Sequence, residues 1–309
     1  MNKMWLAIAG VALVLGQSVL RAEAPISTVN FRVIDENGKG VQNANILGTS
    51  YWRPGKTKGL TDVNGEFSYQ DRVYTDIGCL VEKPGYYRTR GEVWHGKGIE
   101  NEHPTNTLVV VIKRIIDPVP LTFRKIETNL PRLGMSVPFD LAIGDWVEPD
   151  GRGKTNDVWF SGEKRMVSRS DHDIRVTVSF SNGLNGMQEF IANAPFYTPV
   201  ASDLVPTHLA PSAGYTNRVD LWQYWNPGKP MEMRYRDDRN YIFRVRCKKD
   251  QNDKNLEANV GWMRQDIEID PGETKTIWMR FHYYYNPNPQ SRSLEPKEIA
   301  DRQGKYPAQ

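Results

Sequence analysis

The chain has 309 residues, 39 % hydrophobic and 25 % charged, with 40 Lys plus Arg against 37 Asp plus Glu. That length fits two domains and the apolar content can build a core, while a formal net charge of +3 lacks the strongly basic footprint of a nucleic-acid-binding protein. The 20 Pro, 25 Gly and 11 % aromatic residues favour strands and turns over long helices.

The N-terminus reads as a secretion signal. Met1-Asn2-Lys3-Met4 carries one positive charge, Leu6 to Gly16 is uncharged and mostly apolar, and the small residues Ala22 and Ala24 follow. Pro25 disfavours cutting directly after Ala24, which places cleavage after Ala22 and the signal at residues 1–22. The apolar run is shorter than the ~20 residues of a membrane span, so no transmembrane segment is expected in the mature chain. No Cys follows it for a lipid anchor. Cleavage removes two of the 40 basic residues and no acid, leaving a net charge of about +1. The expected location is secreted or periplasmic, in a bacterial envelope.

The stretch from Val29 to Tyr87 has the clearest local pattern. Val29, Phe31 and Val33 fall at every second position and share one face of a predicted strand, with Asn30 and Arg32 on the other. Asp35-Glu36-Asn37-Gly38-Lys39-Gly40 stops that strand with residues that accept positive φ. Val41 to Leu47 resumes an apolar-rich strand. Asp62-Val63-Asn64-Gly65 is a second turn of the same kind, since Asn-Gly suits turns whose central residues need φ > 0. Glu66-Phe67-Ser68-Tyr69 follows it, then a strand from Ile77 to Glu82 closed by Lys83-Pro84-Gly85-Tyr86.

These residues carry a resemblance. Val33, Asp35, Gly38, Val41, Ala44 and Ile46, then Thr61, Asp62, Asn64, Gly65 and Phe67, then Val81, Lys83, Pro84, Gly85 and Tyr86 resemble the carboxypeptidase regulatory-like domain. The resemblance covers about residues 27–113 and implies a transthyretin-like β-sandwich, a fold that usually serves as a non-catalytic accessory in secreted proteins. Gly48 to Gly59, with Tyr51-Trp52-Arg53-Pro54, departs from the pattern and is expected to be a long exposed loop. A calcium reading of Asp62, Asn64 and Glu66 lacks the rest of an EF-hand ligand set, so turn chemistry is the better reading.

Gly91 to Asn106 is a polar connection, and the apolar run Leu108 to Ile112 closes the first domain, residues 25–114. Ile115-Ile116-Asp117-Pro118-Val119-Pro120 reads as an extended linker, because each Pro disfavours helix in the residue before it. A second domain is expected over residues 121–286. Ile174, Val176, Val178 and Phe180 alternate with polar residues, as do Tyr241, Phe243, Val245 and Cys247; Ile277, Met279, Phe281, Tyr283 and Tyr285 share one face. The fold class is therefore all-β: two antiparallel β-sandwich domains in tandem behind a cleaved signal peptide. Residues 287–309 read as a C-terminal tail, and 145–156 and 192–230 as long irregular loops.

Cys79 and Cys247 are the two cysteines. In an oxidising compartment they could form a disulfide stapling the domains together; the other reading is two buried thiols, each on a strand. His95, Glu100, Glu102 and His103 are zinc-ligand types crowded into one loop, but their spacing matches no zinc motif. Asp171-His172-Asp173 places acid beside base, yet neighbours on an extended chain point apart. Asp250, Asn252, Asp253 and Asn255 fit a polar hairpin loop better than a calcium site. Arg244, Arg246 and Lys248 form a basic stripe read as a salted solvent face. No catalytic, metal or cofactor motif stands out.

Trp222, Tyr224 and Trp225 are the candidate ligand-binding residues. Flat rings on a β-sandwich surface can stack on sugars; rings turned into the core are the alternative, and Trp225 has the opposite parity to the other two. The reading favoured is a secreted or periplasmic non-catalytic binding protein with a polysaccharide or envelope-protein partner. The alternative is a hydrolytic enzyme with an active site built from loops of the second domain.

Overall fold

The computed structural model of the chain describes residues 26–50, 53–72, 76–94, 105–192, 200–249, 256–272 and 275–302. The signal region, the His95–His103 loop and the Asp250–Asn255 loop lie outside them. The period-two alternation builds β1 (Ile26–Asp35), β2 (Asn45–Ser50), β3 (Arg53–Leu60), β4 (Glu66–Arg72), β5 (Asp76–Glu82), β6 (Thr89–Trp94) and β7 (Thr105–Ile112). Val29, Phe31 and Val33 of β1 are fully buried, as the alternation requires. One sheet has the order β4-β1-β7, with β1 antiparallel to β4 and parallel to β7. The other, antiparallel, begins β3-β2-β5-β6. Phe31, Val33, Val110 and Ile112 from one sheet meet Ile46, Cys79 and Val81 from the other in one core.

The stretch expected to be an exposed loop, Gly48 to Gly59, is instead mostly a hairpin. Ile46 pairs with Gly59 and Gly48 with Thr57 across β2 and β3. Backbone pairing at this sheet edge overrides the polar, Gly- and Pro-containing sequence that signalled a loop.

The Asn64-Gly65 turn is held by its own polar groups. Asp62 Oδ1 accepts the amides of Asn64 at 2.9 Å and Glu66 at 2.8 Å, and buried Thr61 Oγ1 accepts the Ala44 amide at 2.9 Å. Gly65 has φ +80°, and a Cβ there would lie 2.2 Å from the Val33 carbonyl oxygen. Gly65→Ala therefore combines left-handed strain with a backbone clash and should destabilise the first domain by about 2–4 kcal/mol. Urea unfolding checks this; a loss near zero would contradict the turn geometry.

Asp35 closes the preceding turn, accepting the Asn37 amide at 2.9 Å, the Lys39 amide at 3.0 Å and the Arg114 guanidinium at 3.2 Å. Burial pushes its carboxyl up, but these donors outweigh burial and hold it below its ordinary value of 3.8. The unfolded chain thus takes up this proton at higher pH than the folded one. The stabilisation is complete above the ordinary value and is lost as pH falls through the lowered one. Asp35→Asn should flatten the acid limb of the stability–pH curve; an unchanged limb would contradict this.

The second domain contains β8 (Thr122–Asn129), β9 (Ser136–Asp140), β10 (Asp145–Trp146), β11 (Val158–Ser168), β12 (Asp171–Ser179), β13 (Gly186–Ile191), β14 (Val200–Ser202), β15 (Arg218–Trp225), β16 (Glu232–Met233), β17 (Arg239–Lys249), β18 (Leu256–Asp270) and β19 (Trp278–Tyr285). A six-stranded sheet β10-β9-β11-β12-β15-β16 packs on a five-stranded sheet β13-β17-β18-β19-β8. Phe139, Trp146, Phe160 and Phe281 interlock between them, with ring centroids 5.2–6.1 Å apart. The two-sandwich, all-β architecture expected from the alternation is present.

The domains are joined by more than a linker. β14, from a stretch expected to be loop, adds antiparallel to β6 and extends the first domain's five-stranded sheet. The chain after Asn286 also differs from a tail, at least as far as Arg302. It runs back to the linker, with Val119 bridging Pro296, and ends in a short helix α1 (Lys297–Ala300). Leu294 and Glu295, just before it in the chain, are buried, Leu294 against Ala210, Ile242, Val260 and Trp262.

Candidate functional site

On β15, Leu221 and Gln223 face the core, so Trp222 and Tyr224 face outward. Their rings lie nearly parallel, 22° apart with centroids at 5.4 Å, and both are half-buried. They form a short aromatic ledge on the outer face of the six-stranded sheet. The neighbouring strand places Arg175 opposite Trp222 and Asp173 opposite Tyr224. One strand further, Glu163 lies opposite Arg175 and Arg165 opposite Asp173. On the other side the Tyr224 hydroxyl donates to the Glu232 carboxylate, and this bond raises the phenol's pKa. The face thus offers two flat rings bordered by charged groups of both signs.

Trp225 does not join the ledge. Its ring meets His172 edge-on with centroids 6.4 Å apart, and its Nε1 donates to the Lys229 carbonyl at 2.9 Å. The parity difference visible in the sequence separates it from the other two. His172 itself is buried: Nδ1 donates to the Arg169 carbonyl at 2.8 Å, leaving Nε2 to accept from the Gln223 amide at 3.1 Å. Asp171 and Asp173 turn the other way and pair with Arg165 and Arg175. The neighbouring acid and base groups of this segment are not brought together.

The Cys79–Cys247 staple is absent. Both thiols are free and buried, in different domains. Cys79 sits in the first core, where burial raises its pKa to about 12. Cys247 donates to the Leu184 carbonyl at 3.3 Å, and burial raises its pKa too.

The basic stripe is also broken. The β17–β18 register shifts after Val245, and Arg246 takes φ 55°, so this bulge re-aims its side chain. Arg246 Nε donates to Asp157 Oδ1 at 2.8 Å, and Nη2 to Asp140 Oδ1 at 2.8 Å and Asp157 Oδ2 at 2.9 Å. Asp140 further accepts the Ala142, Ile143, Lys154 and Thr155 amides at 3.0–3.1 Å. Burial pushes Asp140 up, but those amides and Arg246 outweigh it and lower its pKa. For Asp157 burial prevails and the pKa is raised. These two carboxylates converge without bordering the large cleft described below, and their partners are backbone amides and one guanidinium: a locked structural cluster. Sequence reasoning missed both aspartates because a one-residue bulge is invisible to a period-two pattern.

A second buried cluster links the domains. Glu295 accepts the Tyr87 hydroxyl at 2.8 Å, the amides of Ile116 at 3.0 Å and Asp117 at 3.2 Å, and His208 Nδ1 at 2.8 Å. His208 Nε2 reaches Glu36 at 2.9 Å. Among the described residues no three His, Cys, Asp or Glu side chains are arranged to hold a metal ion, and no helix is long and apolar enough to cross a membrane.

No protein-family model and no curated protein matches the sequence. Among solved structures, the Streptococcal ancillary pilin is 11 % identical with a TM-score of 0.24, covering 69 % of this chain and 60 % of the pilin. The chain therefore spans about 60 % of that protein's length. BcpA, the major pilin subunit of Bacillus cereus, is 11 % identical with a TM-score of 0.26 over 83 % of this chain and 95 % of the pilin. A candidate carbohydrate-binding protein from Bacteroides uniformis is 13 % identical with a TM-score of 0.21 over 82 % of this chain and 97 % of its own. Likenesses this loose establish neither a common fold nor a shared activity.

Proposed function

We propose that the protein is a non-catalytic binding protein of the bacterial envelope, secreted or periplasmic, that docks glycan on the outer face of its six-stranded sheet. The observation carrying this reading is the outward, nearly parallel pair Trp222 and Tyr224 at 5.4 Å. Flat rings take the apolar face of a sugar, while Arg175, Asp173 and Glu232 around them supply partners for hydroxyl groups. The first domain is proposed to be a carboxypeptidase regulatory-like module, on its motif residues and on the turn chemistry of Asp35, Thr61 and Gly65. The apolar run at Leu6 to Gly16 supports export.

The test is retention of the mature chain, residues 23–309, on a panel of insoluble polysaccharides, with circular dichroism to confirm folding. Wild type should be retained, and Trp222→Ala and Tyr224→Ala should each weaken retention by about tenfold or more, as loss of a central aromatic contact does. Trp225→Phe should bind like wild type. Failure of wild type on every glycan would overturn glycan docking and point to an envelope protein as partner.

A further inference from the structure

A cleft of about 710 Å³ lies between the two domains, walled by β6, β7 and β14 on one side and by β13, β18 and α1 on the other. Its charge is one-sided: Arg88, Arg90, Lys113, Arg264 and Arg302 line it against Asp203 and Asp237. Three of these cations, Arg88, Arg90 and Lys113, are already engaged. Arg88 pairs with Asp203 at 3.3 Å, and Lys113 Nζ donates to the carbonyls of Val205 at 3.1 Å and Pro206 at 2.7 Å.

Arg264 and Arg302 differ. Both are exposed, and neither side chain makes an ion pair or hydrogen bond to a described residue. Arg264 stands where the β18–β19 register shifts, next to Gln265 at φ 68°, whose amide donates to Asn240 Oδ1 at 2.9 Å. Arg264 is the last regularly paired residue before the shift and, opposite His282, shares the outer face of the sheet with Trp262 and Tyr284. Tyr284 lines the same cleft, and its hydroxyl has no hydrogen-bond partner among the described residues. Burial raises its pKa, and the charges of Arg264 and Arg302 act against that rise while those of Glu298 and Asp203 add to it.

The same cleft has an apolar wall. Val109 is 43 % exposed, Val111 39 % and Ile191 56 %, all lining it. Valines on the outer side of β7 would be expected to carry polar replacements if they faced only water.

We propose that this cleft binds an amphipathic organic anion: a carboxylate or phosphate head held by Arg264, Arg302 and the Tyr284 hydroxyl, with an apolar body over Val109, Val111 and Ile191. Guanidinium forks match both head groups in geometry and charge, and the cavity is of ordinary small-ligand size. This site is separate from the aromatic ledge.

Isothermal titration with octanoate, octyl phosphate and the neutral octyl glucoside tests it. Saturable one-to-one binding is expected for at least one of the two anions, and the tighter of them identifies the head group. Arg264→Gln and Arg302→Gln, both at exposed positions, should each weaken that binding by about tenfold, and Tyr284→Phe by less. Absence of saturable binding by both anions, equal binding of octyl glucoside, or unchanged affinity in both arginine variants would overturn the proposal.

Discussion

Arg246→Met is expected to destabilise the second domain by about 3–5 kcal/mol, because it leaves two buried carboxylates without their shared cation. Asp140 and Asp157 are 2 % and 1 % exposed. Asp140 keeps four backbone amides after the substitution, so most of the penalty falls on Asp157, which keeps only the Leu141 amide at 2.9 Å. Burial already raises the Asp157 carboxyl against the pull of Arg246; without the guanidinium it rises further. A group whose folded pKa is raised favours the folded state below its unfolded pKa and loses that contribution as pH climbs through the folded value. The loss in Arg246→Met should therefore be smaller near pH 4 than near pH 7, and Asp157→Asn added to it should restore part of the stability at neutral pH. Urea unfolding at the two pH values reads this directly. A change below about 1 kcal/mol at neutral pH would show that the cluster does not hold the fold.

Glu295→Ala is the second large effect, about 3 kcal/mol, with the loss concentrated at the junction of the domains. Four donors converge on this carboxylate, from Tyr87 of the first domain, Ile116 and Asp117 of the linker, and His208 between β14 and β15. Removing it leaves two linker amides and the buried Tyr87 phenol without their partner, and the His208 ring keeps only Glu36. Hydrogen exchange should speed up at the Ile116 and Asp117 amides while β12, inside the second core, stays protected. Tyr87→Phe removes one of the four bonds and should lose about 1 kcal/mol. Unchanged exchange at the linker amides in Glu295→Ala would contradict the latch.

The alternation in Val29–Val33, Ile174–Phe180 and Ile277–Tyr285 revealed strands because one buried face imposes period two on the side chains. The Asp35 and Asn64-Gly65 turns were legible because their chemistry is local. β15 was hidden inside a predicted loop: its inward positions include Gln223, a polar residue satisfied by His172, so the apolar alternation breaks. The β2–β3 hairpin was hidden in the same way by its Gly and Pro content. Arg246 depends on a bulge, a one-residue slip that reverses which face a side chain takes. His208, Glu295 and the cleft arise from contacts between segments far apart in sequence, which no local pattern encodes. Of the three aromatic candidates, Trp222 and Tyr224 come together and Trp225 belongs to a different contact, as its parity indicated.

The most direct test of the aromatic ledge as a ligand face is affinity electrophoresis of wild type and Trp222→Ala in gels containing neutral, acidic or amino-sugar soluble polysaccharides. The wild type should be retarded by at least one class, and the folded variant should migrate as it does in a blank gel. Equal retardation of both proteins, or no retardation of the wild type in any gel, would contradict glycan docking at Trp222 and Tyr224.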